Sequence, residues 1–167
     1  MKLCIFLAIA LVFVAHQEKK LTLDVGSKLP AREVPKKNRH LYMTHSSQLR
    51  PFIERDIDGI KFTIAYDEKT REITYLSTYD SGFKSVQGFR VGDYVDVNGN
   101  EIVAYPGWEI RAPGGEDGWQ LLIGFNSEMT VWSDKNEVKL KLAPTQYNLP
   151  ADQVVKAKIV AFVKGMN

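Results

Sequence analysis

Asp93, Asp96, Asn98, Asn100 and Glu101 place oxygen-bearing side chains close together, the donor chemistry that a hard cation such as calcium takes. The spacing departs from an EF-hand loop: Gly99 falls at the wrong place and no suitable distal glutamate completes the set. Asn98-Gly99 reads first as a tight hairpin turn, because both residues tolerate positive φ. A metal site at Asp93, Asp96, Asn98 and Asn100 ranks below that reading. Asp134, Asn136 and Glu137 form a weaker cluster of the same kind. No cofactor is indicated.

Hydrolytic chemistry has two starting points. His40 and His45 are five residues apart, which on an extended strand sends them to opposite faces and disfavours a shared metal. A serine–histidine–carboxylate site using His45 with Ser46 or Ser47 needs distant partners; no nucleophile elbow, His-Glu-x-x-His pair or phosphate-cradling loop is present. Glu109, Glu116 and Asp117 lie near Trp108 and Trp119, and carboxylates beside aromatics can build a sugar-processing site whose mechanism follows their separation. The same residues also describe a polar turn between two core strands. No catalytic residue is assigned.

Recognition chemistry rests on the aromatics. Tyr75, Tyr79, Tyr94, Tyr105, Trp108, Trp119 and Trp132 are candidates for an exposed patch, although most should be core. Aromatic anchors bury much area at modest entropic cost. Tyr79, Tyr105, Trp108 and Trp119 are the expected contact residues, with the turns around Tyr79–Val91 and Tyr105–Trp119 as the contact surface.

The elements that must position these groups are strands. Ile60, Phe62 and Ile64 alternate with polar residues, Asp67-Glu-Lys-Thr turns, and Ile73, Tyr75 and Ser77 alternate again, which predicts a β-hairpin. Tyr79 to Asp93 is turn-rich, pinned to the core by Phe83, Val86, Phe89 and Val91. Tyr94–Val97, Asn98-Gly99 and Ile102–Val103 read as a second hairpin. Further strands are expected around Trp119–Phe125, Met129–Trp132 and Val138–Leu142, and over Ala157–Val163, where a short helix is the alternative. Ser46 to Phe52 is ambiguous between a capped helical turn and extended chain, with Pro51 opposing a long helix. The expected fold is mainly β (or α+β), a single antiparallel-sheet domain with several hairpins.

Ahead of it, Met1 to Ala15 carries one charge, Lys2, followed by an apolar run too short to span a bilayer. This reads as a secretory signal over residues 1–17, ahead of a retained anchor or a folded element. Residues 18–40 are expected as an extended arm or linker and residues 41–167 as the globular domain. Cys4, the one cysteine, would leave with the leader. Lys plus Arg number 22 against 20 Asp plus Glu, a near-neutral balance that does not suggest a nucleic-acid partner.

From Gly59 to Phe125 the chain resembles a loose group of small exported bacterial proteins of unassigned function. The shared theme is a hairpin like Ile73-Thr-Tyr-Leu-Ser-Thr, an aspartate, a phenylalanine, a Gly-Phe step, Val91-Gly-Asp93, a Pro106-Gly-Trp108 turn and a Gly118-Trp119 strand. The resemblance implies a bacterial, secreted or periplasmic module and no particular catalytic residues. The leading expectation is a non-catalytic module that binds a protein or cell-envelope component, with no stable membrane span once the leader is removed. The alternative is a secreted or periplasmic hydrolase of unknown class, directed at glycans.

Overall fold

The computed structural model describes residues 23–37, 39–43, 48–99, 102–104, 109–114, 116–142 and 153–165. The strands are β1 (Arg39–Met43), β2 (Gln48–Ile57), β3 (Ile60–Tyr66), β4 (Ile73–Thr78), β5 (Tyr94–Asn98), β6 (Val103–Ala104), β7 (Glu109–Pro113), β8 (Trp119–Phe125), β9 (Glu128–Ser133), β10 (Asn136–Lys141), β11 (Val154–Lys158) and β12 (Ala161–Lys164). They form one antiparallel sheet in the order β1-β2-β3-β4-β12-β8-β9-β11-β5, with β10 added on β9 and β6–β7 on β8. Short 3-10 turns at Ala31–Glu33 and Glu116–Gly118 are the helical elements that lie wholly among the described residues. No helix among them is long and apolar enough to cross a membrane. The mainly β, antiparallel expectation holds.

Tight turns set much of the register. Asp58-Gly59, Asn126-Ser127 and Asp134-Lys135 each have two consecutive positive φ angles, joining Ile57 to Ile60, Phe125 to Glu128 and Ser133 to Asn136. This two-residue geometry matches the right-handed twist of paired strands. The hairpin expected from Ile60 to Ser77 is β3–β4, with its turn held by the Asp67 carboxylate, which accepts hydrogen bonds from the amides of Lys69 and Thr70. β2 runs straight through Pro51: its last β3 partner pair is Phe52↔Ala65, so the missing proline N–H lies outside that ladder.

The Asn98-Gly99 hairpin does not form. β5 pairs with β11, Val95↔Ala157 and Val97↔Val155, while β6 pairs with β7. The Gly99 amide extends the β5–β11 ladder by donating to the Gln153 carbonyl at 3.1 Å. A distant strand that buries Val97 and Ala157 together overrides the local turn signal.

The main core gathers Val97, Ile110, Leu121, Ile123, Met129, Val131, Ala157 and Phe162, so the sheet folds over until β5, β9 and β11 cover β7, β8 and β12. The C-terminal segment is two strands that meet at a corner. The Ile159 amide donates to Asp93 and the Val160 amide to Leu122, and beyond this corner the side-chain phase slips. Ala157, Ile159 and Phe162 face the main core, whereas Ala161 and Val163 face the opposite side with Tyr75 and Leu122. Phe83, Phe89 and Val91 pin the 79–93 loop as expected, but Val86 is solvent exposed. Residues 24–29 lie against β4: Gly26 and Ile73, Ser27 and Ile73, and Leu29 and Arg71 share backbone hydrogen bonds, and Leu29 is fully buried. This part of the expected linker is therefore docked, with Leu29 in a cluster with Ile64, Tyr66, Ile73 and Leu76.

Candidate functional site

On one face of β4, alternation carries Tyr75, Ser77 and, just past the strand, Tyr79. Tyr75 and Ser77 are buried and Tyr79 is 53% exposed. Across the sheet, β7 sends Arg111 to the same region. Its guanidinium is 1% exposed and donates to the Glu109 carboxylate from Nε at 2.7 Å and Nη2 at 2.5 Å, and to Gln120 from Nη1 at 2.9 Å. Burial, then the Glu109 charge, push the phenols of Tyr75 and Tyr79 up from their ordinary value, with Arg111 opposing. The β4 tyrosines and the β7 ion pair thus sit within electrostatic reach although β12 and β8 separate their strands. A shallow cleft of about 320 Å³ beside Tyr79 is lined by Glu54, Lys61, Thr63 and Asp80. Asp80 is spent on structure, accepting from the amides of Gly82 and Lys61.

The other expected residues disperse. Trp119 is half-buried, its ring 5.2 Å from Phe83 and 6.5 Å from Phe62, and works as a core wall. Tyr105, Trp108, Asn100, His45, Ser46 and Ser47 lie outside the described residues, as does the segment 1–22. Asp93 caps its own turn by accepting from the Arg90 amide, and Asp96 and Asn98 lie on β5. No group of three or more His, Cys, Asp or Glu suited to a metal occurs among the described residues. Glu109 pairs with Phe125 at one end of the β7–β8 ladder, whereas Asp117 precedes Trp119 at the other. That ladder separates them by roughly 15–20 Å, beyond the span of about 5–9.5 Å that a glycosidase carboxylate pair uses.

A second solvent-facing aromatic group lies elsewhere, and it contains two rings in contact. Along β9, alternation buries Met129 and Val131 and turns Trp132 outward, 45% exposed. Tyr94 of β5 crosses towards it, ring centroids 5.6 Å apart and edge-on at 63°. The Tyr94 hydroxyl donates to Glu137 at 2.7 Å, and Lys158 donates to the same carboxylate oxygen at 2.8 Å. Loss of water around the hydroxyl and then the Glu137 hydrogen bond raise the Tyr94 pKa to about 12; Lys158, then Tyr94, hold Glu137 below its usual value. These bonds hold the Tyr94 ring, against which the Trp132 indole packs.

Beside Trp132 a cleft of about 580 Å³ opens where β11 leaves β9 after the pair Lys156↔Trp132. Val131, Val138, Leu140 and Val155 supply apolar lining, and Asp96, Ser133, Gln153 and Lys156 bring polar groups. The volume falls in the range of small-ligand sites. Asp96 and Lys156 oppose each other on β5 and β11, yet neither is in an ion pair among the described residues. Tyr94 and Trp132 are among the aromatics the sequence offers for an exposed patch, but they are not among the expected contact residues Tyr79, Tyr105, Trp108 and Trp119. The findable signal was the phase of β9: if Met129 and Val131 face the core, Trp132 cannot.

Comparison with family models, curated proteins and solved structures finds no match to this chain.

Proposed function

We propose that this chain is an exported, non-catalytic binding module that contacts a cell-envelope component through the Trp132 cleft. The observation that carries the reading is an outward tryptophan, held edge-on by Tyr94, at the wall of a cleft with uncommitted polar side chains. Such a wall offers area without the ordering cost of a floppy anchor. The leader-like segment 1–15 supports an envelope or extracellular setting. Binding is favoured over hydrolysis because Glu109 is tied to Arg111 and stands far from Asp117 along the sheet.

The test is capture of envelope material by the immobilised protein, compared with Trp132→Ala and with Tyr79→Ala. The expected result is loss of a specific envelope component with Trp132→Ala and its retention with Tyr79→Ala. Retention with Trp132→Ala, or a turnover of envelope glycan that depends on Glu109, rejects the proposal.

A further inference from the structure

We infer that the Trp132 cleft takes a neutral carbohydrate chain, with one sugar ring lying on the indole. This rests on the binding reading above and names its ligand. Trp132 offers a flat apolar surface that is 45% exposed and braced by Tyr94. A pyranose ring has an apolar face of C–H groups and an equatorial rim of hydroxyls. The face would cover the indole while the rim meets the polar mouth.

That mouth selects against charge. Asp96 and Lys156 stand across from each other on neighbouring strands, one carboxylate and one ammonium, with no ion pair among the described residues to occupy either. Together they present no net charge, so a polyanion meets Asp96 and a polycation meets Lys156. Glu137 and Lys158 beyond them already neutralise each other at 2.8 Å. Neighbouring sugar hydroxyls suit this arrangement, because a hydroxyl both donates and accepts. One hydroxyl donates to the Asp96 carboxylate and the next accepts from the Lys156 ammonium.

A peptide strand fits less well. Adding a strand needs an open backbone edge. Here β9 is paired with β10 along one edge and with β8 and β11 along the other, and β11, whose far edge is taken by β5, leaves only Val154 and Val155 unpaired towards the cleft, too short an edge for an added strand. Recognition has to go through side chains and the indole face, which is how a sugar chain is held.

The test is calorimetric titration of the protein with four probes: cellohexaose, maltohexaose, chitohexaose and, as the acidic comparator, hexagalacturonate. At least one neutral hexasaccharide is expected to bind and to shift the Trp132 indole N–H resonance, assigned by its disappearance in Trp132→Phe. Trp132→Ala should weaken that binding by about tenfold or more, since a truncated aromatic anchor loses its main contact. Asp96→Asn should weaken it by roughly threefold or more, since a charge-assisted hydrogen bond becomes a neutral one. Affinity should change less than about twofold between low and high salt, because the ligand carries no charge to screen. Trp132→Phe, which keeps a flat ring, should retain part of the binding and guards against misreading an unfolded variant. Binding of hexagalacturonate alone overturns the inference, and so does binding that Trp132→Ala leaves intact. If no hexasaccharide binds while Trp132→Ala still loses its envelope component, the carbohydrate inference falls and the binding reading stands. If Trp132→Ala keeps that component, both fall.

Discussion

Replacing Arg111 by methionine removes the most deeply buried cation among the described residues while keeping an unbranched apolar stem. The guanidinium is 1% exposed and the Glu109 side chain 17%, so the pair is shielded from solvent on both sides. The substitution strands the Glu109 carboxylate without its two donors and takes the Nη1 donor from Gln120. Breaking a buried ion pair from one side costs about 3–5 kcal/mol. Against a total stability of roughly 5–15 kcal/mol, that is a large share. With a urea slope of about 2 kcal/mol per molar, the unfolding midpoint should fall by about 2 M. The assay is equilibrium urea unfolding followed by far-UV circular dichroism. The double variant Arg111→Met with Glu109→Leu removes both charges and should return to within roughly 1–2 kcal/mol of the parent. An Arg111→Met loss below about 1 kcal/mol, or a double variant no better than the single, would refute the idea that charge pairing dominates there.

Gly124 faces Met129 at the start of the β8–β9 hairpin, where an added Cβ would meet the Glu128 carbonyl and lie 2.8 Å from the Met129 Cβ. Gly124→Ala should therefore lower stability by roughly 1–3 kcal/mol in urea unfolding, as overpacking does. Leu29→Ala should cost about 2–5 kcal/mol if residues 24–29 are part of the folded unit, measured the same way. Ultraviolet difference titration should place the Tyr94 phenol near about 12, and Glu137→Gln should bring it down towards 10. Because that pKa is raised on folding, the Tyr94 contribution to stability should be complete below pH 10 and decline as the pH climbs towards 12. Glu137 runs the other way: its depressed pKa gives stability above the ordinary carboxylate range that is lost on acidification.

Period-two patterning carried most of the fold. Ile60–Ile64 and Ile73–Ser77 alternate over a polar turn, and their hairpin forms with Ile64 and Tyr75 buried. The failures share one cause, which is long-range pairing. Asn98-Gly99 is a strong local turn signal, but β11 lies more than fifty residues away and its pairing with β5 decides the outcome. The imperfect alternation after Ala157 hides a corner, because a phase slip between Ile159 and Phe162 is visible only once β4 and β8 are known to flank β12. The candidate site was harder still. Tyr94 and Trp132 are remote in sequence, and only the β5–β11–β9 order brings their rings together. Trp119 carries the same residue type as Trp132 yet packs against Phe62 and Phe83, so the composition of a short stretch could not separate anchor from core.

The most direct test of the binding account is to record amide shifts of the isotopically labelled protein as soluble cell-envelope extract is added. The expected changes concentrate at Tyr94–Asn98, Thr130–Ser133 and Gln153–Lys158, around the cleft beside Trp132. Shifts confined to Glu54, Lys61, Thr63 and Tyr79, with the Trp132 cleft silent, would contradict it.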